Sequence, residues 1–192
     1  ERVSERYQFL SEQRDDLEDA KATLYQVINE MDEVMVKRFD ESFRKIRAEF
    51  DTVFASLFGG GRAELRLTDP EDLLNTGIEI IAQPPGKKLQ NLALLSGGER
   101  ALTAIALLFS ILKVRPVPFC VLDEVEAALD EANVYRFSQF LKRFSEETQF
   151  IVITHRKGTM EESDVLYGVT MQESGVSKLV SVRLEDVTEV VS

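Results

Sequence analysis

Residues 1 to about 57 carry no proline and no glycine, and their apolar positions recur at helical spacing. Leu10, Leu17, Leu24 and Met31 stand seven apart, with Ala20, Val27 and Val34 filling the intervening seam. Such a heptad pattern predicts a coiled-coil helix, whose narrow stripe is buried only against a partner helix. Beyond Met31 the stripe broadens and turns aromatic through Phe39, Phe43, Ile46, Phe50, Val53, Phe54 and Leu57. That width predicts a helix docking onto a domain. Gly59-Gly60-Gly61 then stops the helix and reads as a linker. The predicted division is a coiled-coil arm and root helix over 1–57, followed by an α/β lobe over 58–192.

Within the lobe the period changes. Ala63, Leu65 and Leu67 alternate with Glu64 and Arg66, which predicts a half-buried strand. Ile78 to Ala82 is its expected antiparallel neighbour, and Pro84-Pro85-Gly86-Lys87-Lys88 a turn-rich connector. From Gly97 to Lys113 the chain is apolar nearly all round, the mark of a helix buried on several sides. Arg115-Pro116 ends it. Val117 to Leu122 reads as a short buried strand running straight into Asp123-Glu124. A helix opens at Asp130, with Val134, Phe137, Phe140, Leu141 and Phe144 on its inner face. Gln149 to Thr154 is a second buried strand that delivers His155 to its end. Strand, helix, strand is the pattern of a parallel βαβ unit. Val165 to Met171 and Val176 to Leu184 flank Glu173-Ser174-Gly175 and predict a hairpin.

Composition narrows the possibilities. The 192 residues are 44% hydrophobic and 30% charged, enough for a real core. With 34 acidic and 23 basic residues the formal net charge is −11, which argues against a simple basic platform for nucleic acid. A single cysteine, Cys120, excludes an internal disulfide and suits a reducing compartment. It reads as a small core residue of its strand, not as a nucleophile. The most apolar run is broken by Thr103 and Ser110 and is too short to span a bilayer. No signal peptide is visible, so a soluble cytoplasmic chain is expected. A helical pattern already under way at Glu1 points to a fragment.

The candidate chemistry begins at Leu95-Ser96-Gly97-Gly98-Glu99-Arg100. A helix start offers unpaired N–H groups and the positive end of the macrodipole, and glycines let a phosphate approach the backbone. Ser96 and Glu99 equally fit a capping box, so two readings of this stretch compete. Asp123 and Glu124 follow an apolar strand, at the sheet edge where ligands of parallel sheets bind. Adjacent carboxylates there point apart, so Asp123 suits a magnesium ion and Glu124 suits general-base work on a water. The alternative is a solvated acidic loop. His155, the only histidine, could bond a phosphate oxygen or simply cap its strand. Asp130 suits an N-cap and a reach toward a partner site. No Walker A loop is present: Gly86-Lys87 is the only Gly-Lys pair, and Lys88 stands where Ser or Thr is needed.

Leu-Ser-Gly-Gly-Glu, a strand ending Asp123-Glu124, Ala128-Leu129-Asp130 and a strand ending His155 follow the order of ABC-type ATPases. The wording of Ser96 to Ala104, Leu122 to Asp130 and Ile153 to Met160 resembles the SMC family, most closely its bacterial chromosome-condensation branch. The resemblance covers essentially the whole chain and implies the C-terminal lobe of an ABC-type ATPase head, a parallel βαβ core plus β-hairpins. It implies ATP and Mg2+ as cofactors. Ser96, Gly97 and Gly98 match the signature motif, which in this family contacts the γ-phosphate of ATP held by the opposite head. Asp123 matches the Walker B aspartate, Glu124 the hydrolytic base, Asp130 the D-loop aspartate and His155 the switch histidine. The expected partners are the Walker A-bearing N-terminal segment of the same head, a second SMC head in a homodimer, a kleisin subunit, and DNA through the full complex, with no membrane. The expected role is ATP-driven head engagement and hydrolysis in chromosome condensation and segregation, in the nucleoid-associated cytoplasm. The alternatives are a non-hydrolysing scaffold or coiled-coil interaction module, and the head of a related DNA-repair ATPase. An ABC transporter subunit would carry Walker A upstream of the signature, where this chain has coil and hairpin.

Overall fold

A computed structural model describes residues 2–173 and 175–183. Ser174 and Leu184, assigned above to the last turn and strand, lie outside the described residues. The chain divides into two compact units, Glu1–Lys45 with Leu67–Ile78, and Ile46–Arg66 with Glu79–Ser192. Helix α1 runs from Arg2 to Phe58. In the first unit its heptad residues Leu10, Leu17, Leu24 and Met31 are all exposed, so the seam has no covering among the described residues. Spacing of four places Gln8 against Glu12, Gln26 against Glu30 and Arg44 against Asp40 along the helix surface.

In the second unit Phe50, Val53, Phe54 and Leu57 of α1 are buried. The helix stops as expected, with Gly59 at φ 71° and the Gly60 N–H donating to the Ala55 carbonyl at 2.8 Å. Gly61 is held to glycine by its φ of 85° and by the Gln83 carbonyl, 2.3 Å from where a Cβ would lie. Strands β1 (Arg62–Leu67), β2 (Ile78–Gln83) and β3 (Gln90–Asn91) form a sheet in that order. The two-residue β3 and the 3-10 turn Leu92–Leu94 are too short to show as a period in the sequence.

Helix α2 (Gly97–Val114) buries Leu102, Thr103, Ile105, Ala106, Phe109, Ser110 and Leu112. Thr103 and Ser110 tolerate burial because their hydroxyls donate to the carbonyls of Glu99 and Ala106, four residues back. Helix α3 (Glu131–Phe144) brings Phe137, Phe140 and Phe144 against Phe109, with ring centroids 6.2, 5.1 and 5.3 Å away. Phe150 closes the cluster at 5.9 Å.

Strands β4 (Phe119–Asp123) and β5 (Gln149–Ile153) pair in parallel around α3, from Phe119↔Gln149 to Asp123↔Ile153. The βαβ unit is therefore present, but its strands are not buried on both sides as expected. Leu122 is buried, whereas Phe119 (56%), Val121 (53%), Ile151 (49%) and Ile153 (51%) lie open on the opposite face. The reason is layering: the described chain packs side chains against one face of the pair and provides no cover for the other. A short helix, α4 (Lys157–Glu161), follows β5, and β6 (Val165–Glu173) and β7 (Val176–Arg183) pair as the predicted antiparallel hairpin. Among the described residues no helix is long and apolar enough to cross a membrane.

Candidate functional site

Parallel register places the ends of β4 and β5 side by side, with Asp123 opposite Ile153. The Glu124 N–H donates to the Ile153 carbonyl at 2.9 Å, extending the pairing one residue past the strand. Glu124 pays for its place there with a φ of 47°, alone among the described non-glycine residues. A left-handed conformation costs a residue with a Cβ about 1–2 kcal/mol, so the surrounding bonds must hold it. The turn aims the carboxylate at the neighbouring strand, where Glu124 Oε1 lies 3.3 Å from His155 Nδ1. Both side chains are largely open to solvent. Asp123, Glu124 and His155 thus meet at one exposed edge. A carboxylate and an imidazole in this arrangement can share a proton and orient a water. Among the described residues no group of three or more His, Cys, Asp or Glu could by itself hold a metal ion.

The Ser96 stretch lies at the start of α2. The Ser96 hydroxyl accepts the Glu99 N–H at 3.4 Å, and Glu99 Oε2 accepts the Ser96 N–H at 3.1 Å. The capping box is therefore present. Lys87, assigned above only to a connector, reaches Glu99 with Nζ 2.8 Å from Oε1. Its bond is the main cause holding the Glu99 carboxyl below its ordinary range, with burial opposing and Ser96 assisting. Gly97 faces open space, since nothing lies within 4 Å of where its Cβ would be. Gly98 is different, because its missing Cβ would sit 3.1 Å from the Ala128 carbonyl oxygen. Ser96 makes no hydrogen bond to Asp123, Glu124 or His155, so the two edges are not joined directly.

Asp130 caps α3 as expected, accepting the Asn133 N–H at 2.9 Å and its side-chain amide at 3.1 Å. Between Glu124 and Asp130 the sequence reading passed over Glu126, which is 1% exposed. Its Oε1 accepts the hydroxyls of Thr154 and Thr159, the latter at 3.1 Å. It also passed over Arg156, whose Nη2 donates to the carbonyls of Ala127 and Leu129 at 3.0 and 3.2 Å. The available signal was a lone charge inside the apolar run Val125 to Leu129, followed downstream by hydroxyl residues at a strand end.

A strand edge bearing Asp123, Glu124 and His155, a glycine-opened helix start and a long N-terminal helix characterise this α/β chain. The chain belongs to the RecF/RecN/SMC N-terminal domain family, whose pattern matches residues 5–178. Within that family its likeness, in sequence and fold, is to SMC heads. The chromosome partition protein Smc of Bacillus subtilis (strain 168) is 79% identical over 191 residues, covering 100% of this chain. This chain spans only 16% of that relative's length. The Smc head domain with an extended coiled coil bound to the C-terminal domain of ScpA, from Pyrococcus furiosus, matches 98% of this chain at TM-score 0.75 and 42% identity. Here the chain covers 47% of the solved one. A chain from structural work on ATP-driven dimerization and DNA-stimulated activation of SMC ATPases matches 81% at TM-score 0.73 and 42% identity, and 94% of that chain is covered.

Proposed function

We propose that this chain is the C-terminal half of an SMC ATPase head with its coiled-coil root, acting in ATP-driven head engagement during chromosome condensation and segregation. The observation that carries the reading is the meeting of Glu124 and His155, 3.3 Å apart, beside Asp123 at the end of a parallel strand pair. Glu124 is the base for the attacking water and His155 the group that steadies it and senses the phosphate. The residues fit ATP and Mg2+. Asp123 would supply one carboxylate to Mg2+, which usually takes one or two protein carboxylates and completes its shell with phosphate oxygens and water. When bound, Mg2+ and the phosphates supply the electrophile. Ser96 and Gly97, at an open helix N-terminus, would take the γ-phosphate of a nucleotide held by a second head. Asp130 would face that partner site.

A half-site explains two further features. The uncovered face of Phe119, Val121, Ile151 and Ile153 has the composition of a strand pair buried on both sides, and the Walker A-bearing N-terminal segment is the layer proposed to cover it. Coverage of 47% of the solved head that it matches is consistent with such a division. The exposed heptad seam would pair with the returning helix of the same arm. A second copy of the head, a kleisin subunit and DNA are the remaining partners, in the nucleoid-associated cytoplasm. The test is to combine this chain with the Walker A-bearing segment. ATPase activity should appear, and Glu124→Gln should abolish it while leaving ATP-dependent dimers. Activity that survives Glu124→Gln would sink the assignment of the base.

A further inference from the structure

A buried carboxylate loses its hydration and is tolerated only where hydrogen bonds replace it. Glu126 is such a group, and one oxygen carries all its anchoring. Oε1 accepts the hydroxyls of Thr154 and Thr159, while Oε2 is buried with no hydrogen-bond partner among the described residues. Both hydroxyls are themselves fixed. Thr154 Oγ1 accepts the Arg156 N–H at 3.0 Å, and Thr159 Oγ1 lies 3.4 Å from Ser138 Oγ. Arg156 returns to the same loop through the carbonyls of Ala127 and Leu129. The loop's own turns add the Ala127 N–H to the Glu124 carbonyl at 3.0 Å and the Leu129 N–H to the Glu126 carbonyl at 2.9 Å.

The placement matters because of what adjoins it. Thr154 directly precedes His155, and Glu126 follows Glu124 by two residues. The Glu126–Thr154 bond therefore ties together the backbones that carry the Glu124–His155 pair. It also resists the relaxation that Glu124, at φ 47°, would otherwise undergo. We propose that Glu126 is a positioning residue for hydrolysis: through Thr154 it fixes His155 relative to Glu124 and holds Glu124 in its left-handed turn. This rests on the reading of Glu124 as the base. Glu126 touches neither nucleotide nor water in this role.

The test uses steady-state ATPase kinetics and melting temperature of the full-length protein carrying this lobe. Glu126→Met keeps the bulk and removes the acceptor. Glu126→Gln keeps an oxygen in the Oε1 place, and its amide nitrogen replaces an atom that has no donor to lose. Thr154→Val removes the hydroxyl while keeping the shape. Glu126→Met and Thr154→Val should each lower kcat about 10- to 100-fold, the scale of a small misplacement of reacting groups, with KM little changed. Glu126→Gln should restore kcat to within about threefold of wild type. The double variant should be no slower than Glu126→Met alone, since both remove one link.

A Gln variant as slow as the Met variant, or losses that multiply in the double variant, would overturn the proposal. If Glu126→Met does not fold, Thr154→Val decides: wild-type kcat in that protein overturns the proposal, and a slow enzyme of unchanged melting temperature supports it. Glu124→Gln is run alongside. An active Glu124→Gln protein removes the base assignment and this proposal with it, whereas an inactive one beside a fully active Glu126→Met protein removes this proposal alone.

Discussion

Gly97 and Gly98 begin the same helix, yet an added methyl group meets different surroundings at each. Neither has a positive φ, so alanine fits both backbones without strain. Replacing glycine by alanine at such a position stabilises by about 0.4–1 kcal/mol through the unfolded chain. At Gly97 the methyl group enters open space and nothing opposes that gain. An assembled head about twice the length of this chain melts about 1–2 °C higher per kcal/mol, so Gly97→Ala should raise its melting temperature by about 0.5–2 °C. On the proposed reading, the same methyl group would stand where a phosphate meets the helix N-terminus. Displacement of that contact by the width of a methyl group should cost about 100-fold in ATPase rate. At Gly98 the methyl carbon would lie 3.1 Å from the Ala128 oxygen, and one of them must move by a few tenths of an ångström. The Ala128 carbonyl cannot give easily, because Arg156 holds the carbonyls on either side of it. Overpacking of this kind costs about 1–3 kcal/mol and outweighs the gain, leaving a net loss of about 1 kcal/mol. The assay is differential scanning fluorimetry paired with steady-state hydrolysis. A Gly97→Ala head that hydrolyses ATP like wild type refutes the phosphate reading of Ser96-Gly97-Gly98. Equal melting shifts for the two variants refute the argument from Ala128.

Two further substitutions probe other parts of the structure. Val121→Arg sets a charge in the middle of the uncovered strand face and should leave the circular dichroism of the chain unchanged while abolishing co-purification with the Walker A-bearing segment; undiminished recovery of the pair would place the junction elsewhere. Lys87→Met removes the chief group that lowers the Glu99 carboxyl, so the Glu99 resonance should titrate at higher pH in the assembled head. A depressed folded pKa gives stability that is present above the unfolded pKa and lost as pH falls through the folded one. The acid limb of the melting-temperature profile should therefore move to higher pH in Lys87→Met, and coincident limbs would show that the ion pair contributes nothing to the cap.

What could be read from the sequence follows from how far apart the interacting residues stand. The capping box joins Ser96 to Glu99 within one turn, and Asp130 caps Asn133 over the same span, so local spacing announces both. The heptads of α1 and the period change at Gly59 are local too, as is the order of strand, helix and strand that brings Glu124 toward His155. Glu126 was missed because its partners lie 28 and 33 residues away, and the apolar run around it, Val125 to Leu129, is the one local sign of burial. Lys87 finds Glu99 across 12 residues and a change of element. The left-handed turn at Glu124 was hidden as well, since glutamate is not a residue that advertises a positive φ. Phe119, Val121, Ile151 and Ile153 are apolar on a face that this chain leaves open, while Leu122 and Phe150 serve the face it covers. A run apolar on both faces states a requirement of the strand pair and does not say which segment meets it. The expectation of buried strands holds for the covered face alone, and on the reading proposed another segment of the head covers the other. The same division runs through the site: Glu124 and His155 meet here, whereas Gly97 opens onto space that, on the reading proposed, a nucleotide on another head fills.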